Sequence, residues 1–178
     1  MHIYFLSLHD QYVRMILDGL KRWEFRENPR FGILPDRELG PGDVLFLVST
    51  FAEGASPPRI ECMCSVVSLL RGEDLRAYFG DPASGNWRQA GCEEGTDRDW
   101  DYFRANILEG YATAVELAPY RVSPPIDSST VRHRTTHAPW KGIGFTPADH
   151  LKRFCVDGEA VEEHFGTIAS RLLDERLG

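Results

Sequence analysis

Residues 6–26 read LSLHDQYVRMILDGLKRWEFR, and within them the side-chain period changes twice. The stretch begins at the end of an apolar run, residues 1–8, that alternates only weakly and so predicts a buried strand. Asp10 is placed to cap a helix. Tyr12, Val13, Ile16, Leu17 and Leu20 then recur at helical spacing and form one apolar stripe. Gly19 can take the left-handed conformation that closes a helix. The helix is therefore short, roughly ten residues, and must be held by packing rather than propensity. From Lys21 the period becomes two: Lys21, Trp23 and Phe25 point one way, Arg22, Glu24 and Arg26 the other. That pattern predicts a half-buried strand whose basic–acidic–basic row faces solvent or a cleft.

Beyond it, residues 28–40 hold Pro29, Gly32 and Pro35 and read as an irregular loop. Pro41-Gly42-Asp43 is a turn into an apolar strand at 44–50, followed by a second loop at 51–58. A strand at 59–69 carries Ile60, Cys62, Cys64 and Val66 on one face. Arg71-Gly72 breaks it, and 73–79 predicts a short helix packing through Leu75, Tyr78 and Phe79. Residues 80–96 are polar, glycine-containing and aperiodic, the expected mobile excursion. A helix over 97–109 shares a face of Trp100, Phe103 and Ile107 and stops at Gly110; a strand follows at 111–117. Pro124-Pro125 makes 119–125 an extended exit, since neither helix nor ladder suits it. Residues 128–145 are a long basic connection containing aromatics. Thr146 is placed to cap a helix starting at Pro147, and the last helix, 158–176, packs through Val161, Phe165, Ile168, Ala169, Leu172 and Leu173. About five or six strands and four helices, not strictly alternating, favour a small mixed barrel or α+β domain over a doubly wound sheet.

The 178 residues suffice for one domain with a real core. Apolar content of 42% and charged content of 26% fit a soluble globular protein. No run is long enough to span a bilayer, and the start lacks the basic lead-in of a signal peptide, so a cytoplasmic protein with no membrane partner is expected. Cys62, Cys64, Cys92 and Cys155 lack metal-ligand spacing and read as reduced thiols. A formal charge of −7 weighs against a generic nucleic-acid coat but permits a small positive cleft on an acidic body.

LSLH, a helix, DGLKRWEFR, a loop and then PGDVLFLVST together resemble the ASCH domain of the PUA-like superfamily. The signals are Gly19-Leu20-Lys21 with Glu24 and Arg26, then Gly42-Asp43; EGYATAVELAPYRVSPPI at 109–126 looks like the closing strand of longer prokaryotic members. The resemblance covers roughly residues 1–126 and implies a small β-barrel of five to six strands with flanking helices. Residues 127–178 would then add a basic loop and C-terminal helices packed on the same domain, as an outer layer or a lid. It further implies RNA or nucleotide binding in a cleft beside the first helix. Some small relatives are amidohydrolases that deacylate N4-acylated cytidine, pairing the family lysine with a threonine three residues on and a distant glutamate. Here Lys21 matches the lysine, and Glu24 stands at the threonine position, which counts against that activity. Other members are ribonucleases.

The residues support two chemistries. Lys21, Arg22 and Arg26 would meet phosphate, arginine by a bidentate grip, while Trp23 or Trp140 stacks a base. Ser7 and His9 abut the helix start, where free amides favour an anion. Arg132, Arg134, Trp140 and Lys141 offer a second basic, aromatic contact for single-stranded nucleic acid; the alternative is a loop whose tryptophan plugs the core. His133 and His137 lie four apart, but the threonines and Pro139 argue against the helix a metal pair needs; no metal or cofactor is expected. The competing reading is a hydrolase of a modified nucleoside or RNA, with Lys21 activated by burial and Glu24 as proton shuttle. Strand alternation sets Lys21 and Glu24 on opposite faces and so argues against a simple ion pair between them. A scaffold docking proteins through its acidic surface is a third, unspecified possibility. Trp87, Trp100 and Phe103 are assigned to packing.

Overall fold

The computed structural model describes residues 1–50, 58–90, 100–141 and 144–175. The expected loop at 51–58, most of its length, the end of the excursion at 91–96 with Cys92, the start of the helix at 97 and the terminus at 176 lie outside them. The described residues form the α+β fold expected. A six-stranded sheet has the order β2-β5-β4-β3-β1-β7. Its strands are β1 (Ile3–His9), β2 (Trp23–Arg26), β3 (Val44–Thr50), β4 (Arg59–Arg71), β5 (Thr113–Asp127) and β7 (Phe145–Pro147). A small second sheet is built from β6 (Arg132–His133), β8 (Phe154–Val156) and β9 (Glu159–Ala160). The helices are α1 (Asp10–Leu17), α2 (Gly72–Phe79), α3 (Trp100–Phe103) and α4 (Val161–Glu175).

The chain divides into two compact units: unit 1 comprises residues 1–14, 42–65 and 119–178, and unit 2 residues 15–41 and 66–118. In unit 1, β1 runs parallel to β3 from Ile3↔Val44 to His9↔Thr50. Parallel strands are buried on both faces, which is why residues 1–8 alternate so weakly. One face joins Phe5, Phe46 and Val48 to Phe165 and Ala169 of α4. The Phe165 ring lies 4.8 Å from both Phe5 and Phe46. On the other face Tyr4 stacks on Phe145 at 5.0 Å. Antiparallel β3 and β4 slip register between Leu47 and Val48, which face Cys62 and Ile60. The extra residue, Glu61, puts Ile60 on the face of Met63 rather than with the cysteines. Cys62 and Cys64 are buried with their sulfurs 3.6 Å apart.

Three expectations in unit 1 need correction. β5 continues through Pro124 and Pro125 to Asp127, so the prolines do not end the strand. Residues 145–147 are strand β7, antiparallel to β1, and only a 3-10 turn, Ala148–Leu151, follows; Thr146 caps nothing. The start of the last helix is a hairpin instead. Asp157 (φ 50°) and Gly158 (φ 89°) turn β8 into β9, the doubly left-handed geometry that a two-residue Asp-Gly turn supplies.

In unit 2, α1 ends as Gly19 predicts. Gly19 has φ 74°, its N–H donates to Ile16 O, and the N–H of Leu20 donates to Met15 O at 2.8 Å, a 6→1 closure. Leu20 is thereby turned out, 61% exposed, and leaves the apolar stripe. Trp23 and Phe25 pack with Leu75, Phe79, Trp87, Phe103 and Leu108. The helix at 100–108 is α-helical only to Phe103 and π-helical over Arg104–Leu108. Residues 28–40 are a tight hairpin rather than an irregular loop: Ile33 bridges Glu38, and Leu39 N–H donates to Gly32 O at 2.6 Å. Arg71 clamps it by donating to Phe31 O at 3.1 Å and pairing with Glu38.

Candidate functional site

The short α1 and its glycine closure deliver Lys21 to the threshold of β2. Lys21 precedes the strand, so strand alternation does not govern its side chain. Its Nζ lies 3.4 Å from Glu24 Oε2 and donates to Ala90 O at 3.2 Å. The expectation that Lys21 and Glu24 are kept apart is therefore overturned: the strand begins only at Trp23. Both are buried, Lys21 at 7% and Glu24 at 6% exposure. Glu24 uses its other oxygen for Arg26, whose Nη2 is 2.9 Å from Oε1. The Arg26 guanidinium also sits 5.5 Å over the Phe31 ring, an attractive cation–π distance.

Arg22 does not join Glu24. Its Nη2 lies 2.5 Å from Glu116 Oε1, and Ser68 Oγ donates to Glu116 Oε2 at 2.6 Å. In the β2–β5 ladder Glu24 faces Val115 and Trp23 faces Glu116, so the two carboxylates lie on opposite faces. The uniform charged row on one face is thus split into two groups. The backbone pins both: Arg22 N–H donates to Gln89 O and Leu117 N–H to Arg22 O, while Ala112 N–H donates to Arg26 O. Glu116 and Ser68 went unnoticed in the sequence. A single carboxylate inside the apolar run TAVELA is the signal that marks Glu116.

Trp23 cannot stack a base in this arrangement. It is 1% exposed, and its ring packs 5.2 Å from both Tyr78 and Phe79. Its Nε1 has no hydrogen-bond partner among the described residues.

In unit 1, Ser7 is half-buried and its N–H donates to Gly144 O at 3.0 Å. His9 is exposed, 6.3 Å from the Tyr12 ring. At the start of α1, the Asp10 carboxylate pairs with Arg14 at 2.7 Å, so negative charge already stands at that helix end. The basic segment after residue 128 is a hairpin, not a long connection. His133 N–H donates to Ala138 O and Trp140 N–H to Val131 O. His133 Nδ1 accepts from the N–H groups of Thr135 and Thr136, both at 3.2 Å. Trp140 packs on the unit 1 core, 5.0 Å from Phe5 edge-on, and so anchors the hairpin rather than offering a stacking face. Arg132, Arg134 and Lys141 are exposed. No group of three His, Cys, Asp or Glu able to hold a metal occurs among the described residues, and none of their helices is long and apolar enough to cross a membrane.

No family model and no curated protein matches the chain. Among solved structures it is similar to the ASCH protein of Zymomonas mobilis, at 18% identity over 82% of this chain and 87% of that one, with a TM-score of 0.44. A mutant of the same protein aligns at 19% identity over the same shares, with a TM-score of 0.48. The N-terminal domain of Thermococcus gammatolerans McrB, solved bound to m5C DNA, aligns at 7% identity over 83% of this chain and 90% of that one, with a TM-score of 0.45.

Proposed function

We propose that the chain binds a nucleotide or a single-stranded nucleic acid, RNA foremost, through the charged group at β2. One observation carries the reading: buried Glu24 holds Lys21 and the partly exposed Arg26 (28% of its side chain) at 3.4 and 2.9 Å. Burying such charges costs several kcal/mol each and seldom adds net stability. A carboxylate in this position orients two cations, and an oriented guanidinium grips phosphate with two parallel N–H bonds. Arg22, 53% exposed and held by Glu116, is a separate oriented cation of the same kind. The resemblance of residues 6–26 to the ASCH domain supports the choice of ligand class. The test is a titration with cytidine and uridine monophosphates and short RNAs at low salt. Arg26→Ala is expected to weaken binding roughly tenfold and lower the salt slope by about one. Wild-type protein that binds no nucleotide, RNA or DNA at low salt refutes the reading.

One observation favours hydrolysis as the second reading. The 3.4 Å approach of Lys21 to Glu24 pairs an amine with a carboxylate in a buried setting, as a proton shuttle requires. Incubation with N4-acetylcytidine and with short RNAs decides it: intact substrate in both removes the enzyme.

A further inference from the structure

We propose that the small sheet of unit 1 is a separate, sequence-independent contact for the phosphate backbone of a nucleic acid, made by Arg132, Arg134, Lys152 and Arg153. Residues 128–141 and 150–156 carry Arg132, Arg134, Lys141, Lys152 and Arg153 with His133, His137 and His150, and contain no Asp or Glu. Strand pairing gathers them: Arg132 faces Cys155, His133 faces Phe154, and Arg134 N–H donates to Arg153 O at 2.7 Å. The four named cations are exposed. Among the described residues none of the four is paired with a carboxylate, whereas Arg14, Arg22, Arg71, Arg104 and Arg171 each meet one. The β8–β9 hairpin itself carries Asp157 and Glu159, of which Glu159 pairs with His164 at 3.0 Å. On a chain of net charge −7, the four exposed cations gathered along β6 and the residues leading into β8 are a local reversal of sign that attracts polyanions.

The chemistry of the surface selects the partner. A protein partner of any affinity needs an apolar centre inside a polar rim. Among the described residues the exposed large apolar side chains are Met1, Leu20, Ile33, Val67, Tyr78 and Tyr102, none of them in this sheet. Its aromatics are turned inward, Trp140 onto Phe5 and Phe154 against His133 at 5.4 Å. Cations without an apolar centre and without a stacking ring suit phosphates and ignore bases. The proposal shares with the β2 reading only the class of partner and does not require the Lys21–Glu24 group.

The test is the salt dependence of binding to a labelled oligouridylate of about 20 nucleotides, read by fluorescence anisotropy on the full chain. With four phosphates engaged, raising salt from about 50 to about 200 mM should weaken wild-type binding roughly fiftyfold. The double variant Arg134→Gln/Arg153→Gln should show roughly a sevenfold loss over the same range, and Arg134→Lys/Arg153→Lys should keep the wild-type slope. Circular dichroism melts of both variants confirm folding. A Gln variant with the wild-type slope overturns the proposal, as does wild-type protein that ignores the RNA. Polyglutamate competing as well as RNA at equal charge also overturns it, in favour of an acidic protein. An Arg26→Ala variant that binds oligouridylate with wild-type affinity and slope sinks the β2 reading and leaves this one standing.

Discussion

Lys21 in unit 2 is buried 3.4 Å from one carboxylate, while Arg134 in unit 1 stands in solvent with no carboxylate against it. The two regions hold their cations by opposite means. Around β2 each positive group is fixed by a buried acid, so charge is traded for geometry. Along β6 and the residues leading into β8 the backbone fixes the residues, and none of the four cations meets a carboxylate among the described residues. The first arrangement suits recognition of one group at one place; the second suits attraction of many charges without discrimination.

The largest effect that would break this comparison is at Glu24. Glu24→Ala removes the carboxylate shared by two cations, one of them buried, and is expected to lose about 3–5 kcal/mol in urea unfolding; a loss under about 1 kcal/mol would mean that Glu24 does not organise the group. Next comes Trp140→Ala, which empties a half-filled site on the unit 1 core and is expected to cost roughly 2–3 kcal/mol. If stability held while RNA binding disappeared, the ring would be a stacking face after all. Gly19→Ala follows. Nothing lies within 4 Å of an added Cβ there, so the cost of about 1–2 kcal/mol is that of forcing φ 74° on an L residue. Gly19→Asn should recover part of it in the same melt. The smallest stability effect is at Arg134 and Arg153: within about 0.5 kcal/mol of wild type on substitution by Gln, with the change confined to the salt slope of RNA binding.

Where a local signal dominates, the sequence was legible. Gly19 closed α1, Val44–Thr50 formed a strand with the predicted bounds, and the Val161–Phe165–Ala169–Leu172 stripe packed as its spacing required. Where a partner distant in sequence decides, it was not. Lys21 was misplaced because the onset of β2 depends on its ladder with β5, some ninety positions on. Glu116 has no meaning until Arg22 and Ser68 are beside it. Prolines 124 and 125 looked like an ending because sequence shows the missing donors and not the strand position that tolerates them. Asp157-Gly158 is a different case: the hairpin signal was present and local, and the apolar periodicity of the following helix masked it.

The composition of unit 1 has a consequence for synthesis. Phe5 and Phe46 leave the ribosome more than a hundred residues before the Phe165 and Ala169 that cover them. Unit 2, by contrast, has all of its core side chains once Ala114 has emerged. Because domains fold as their chain becomes available, nascent unit 1 must carry bare aromatic surface until α4 has emerged. It is therefore the half whose yield should respond to chaperone supply and to slowed elongation.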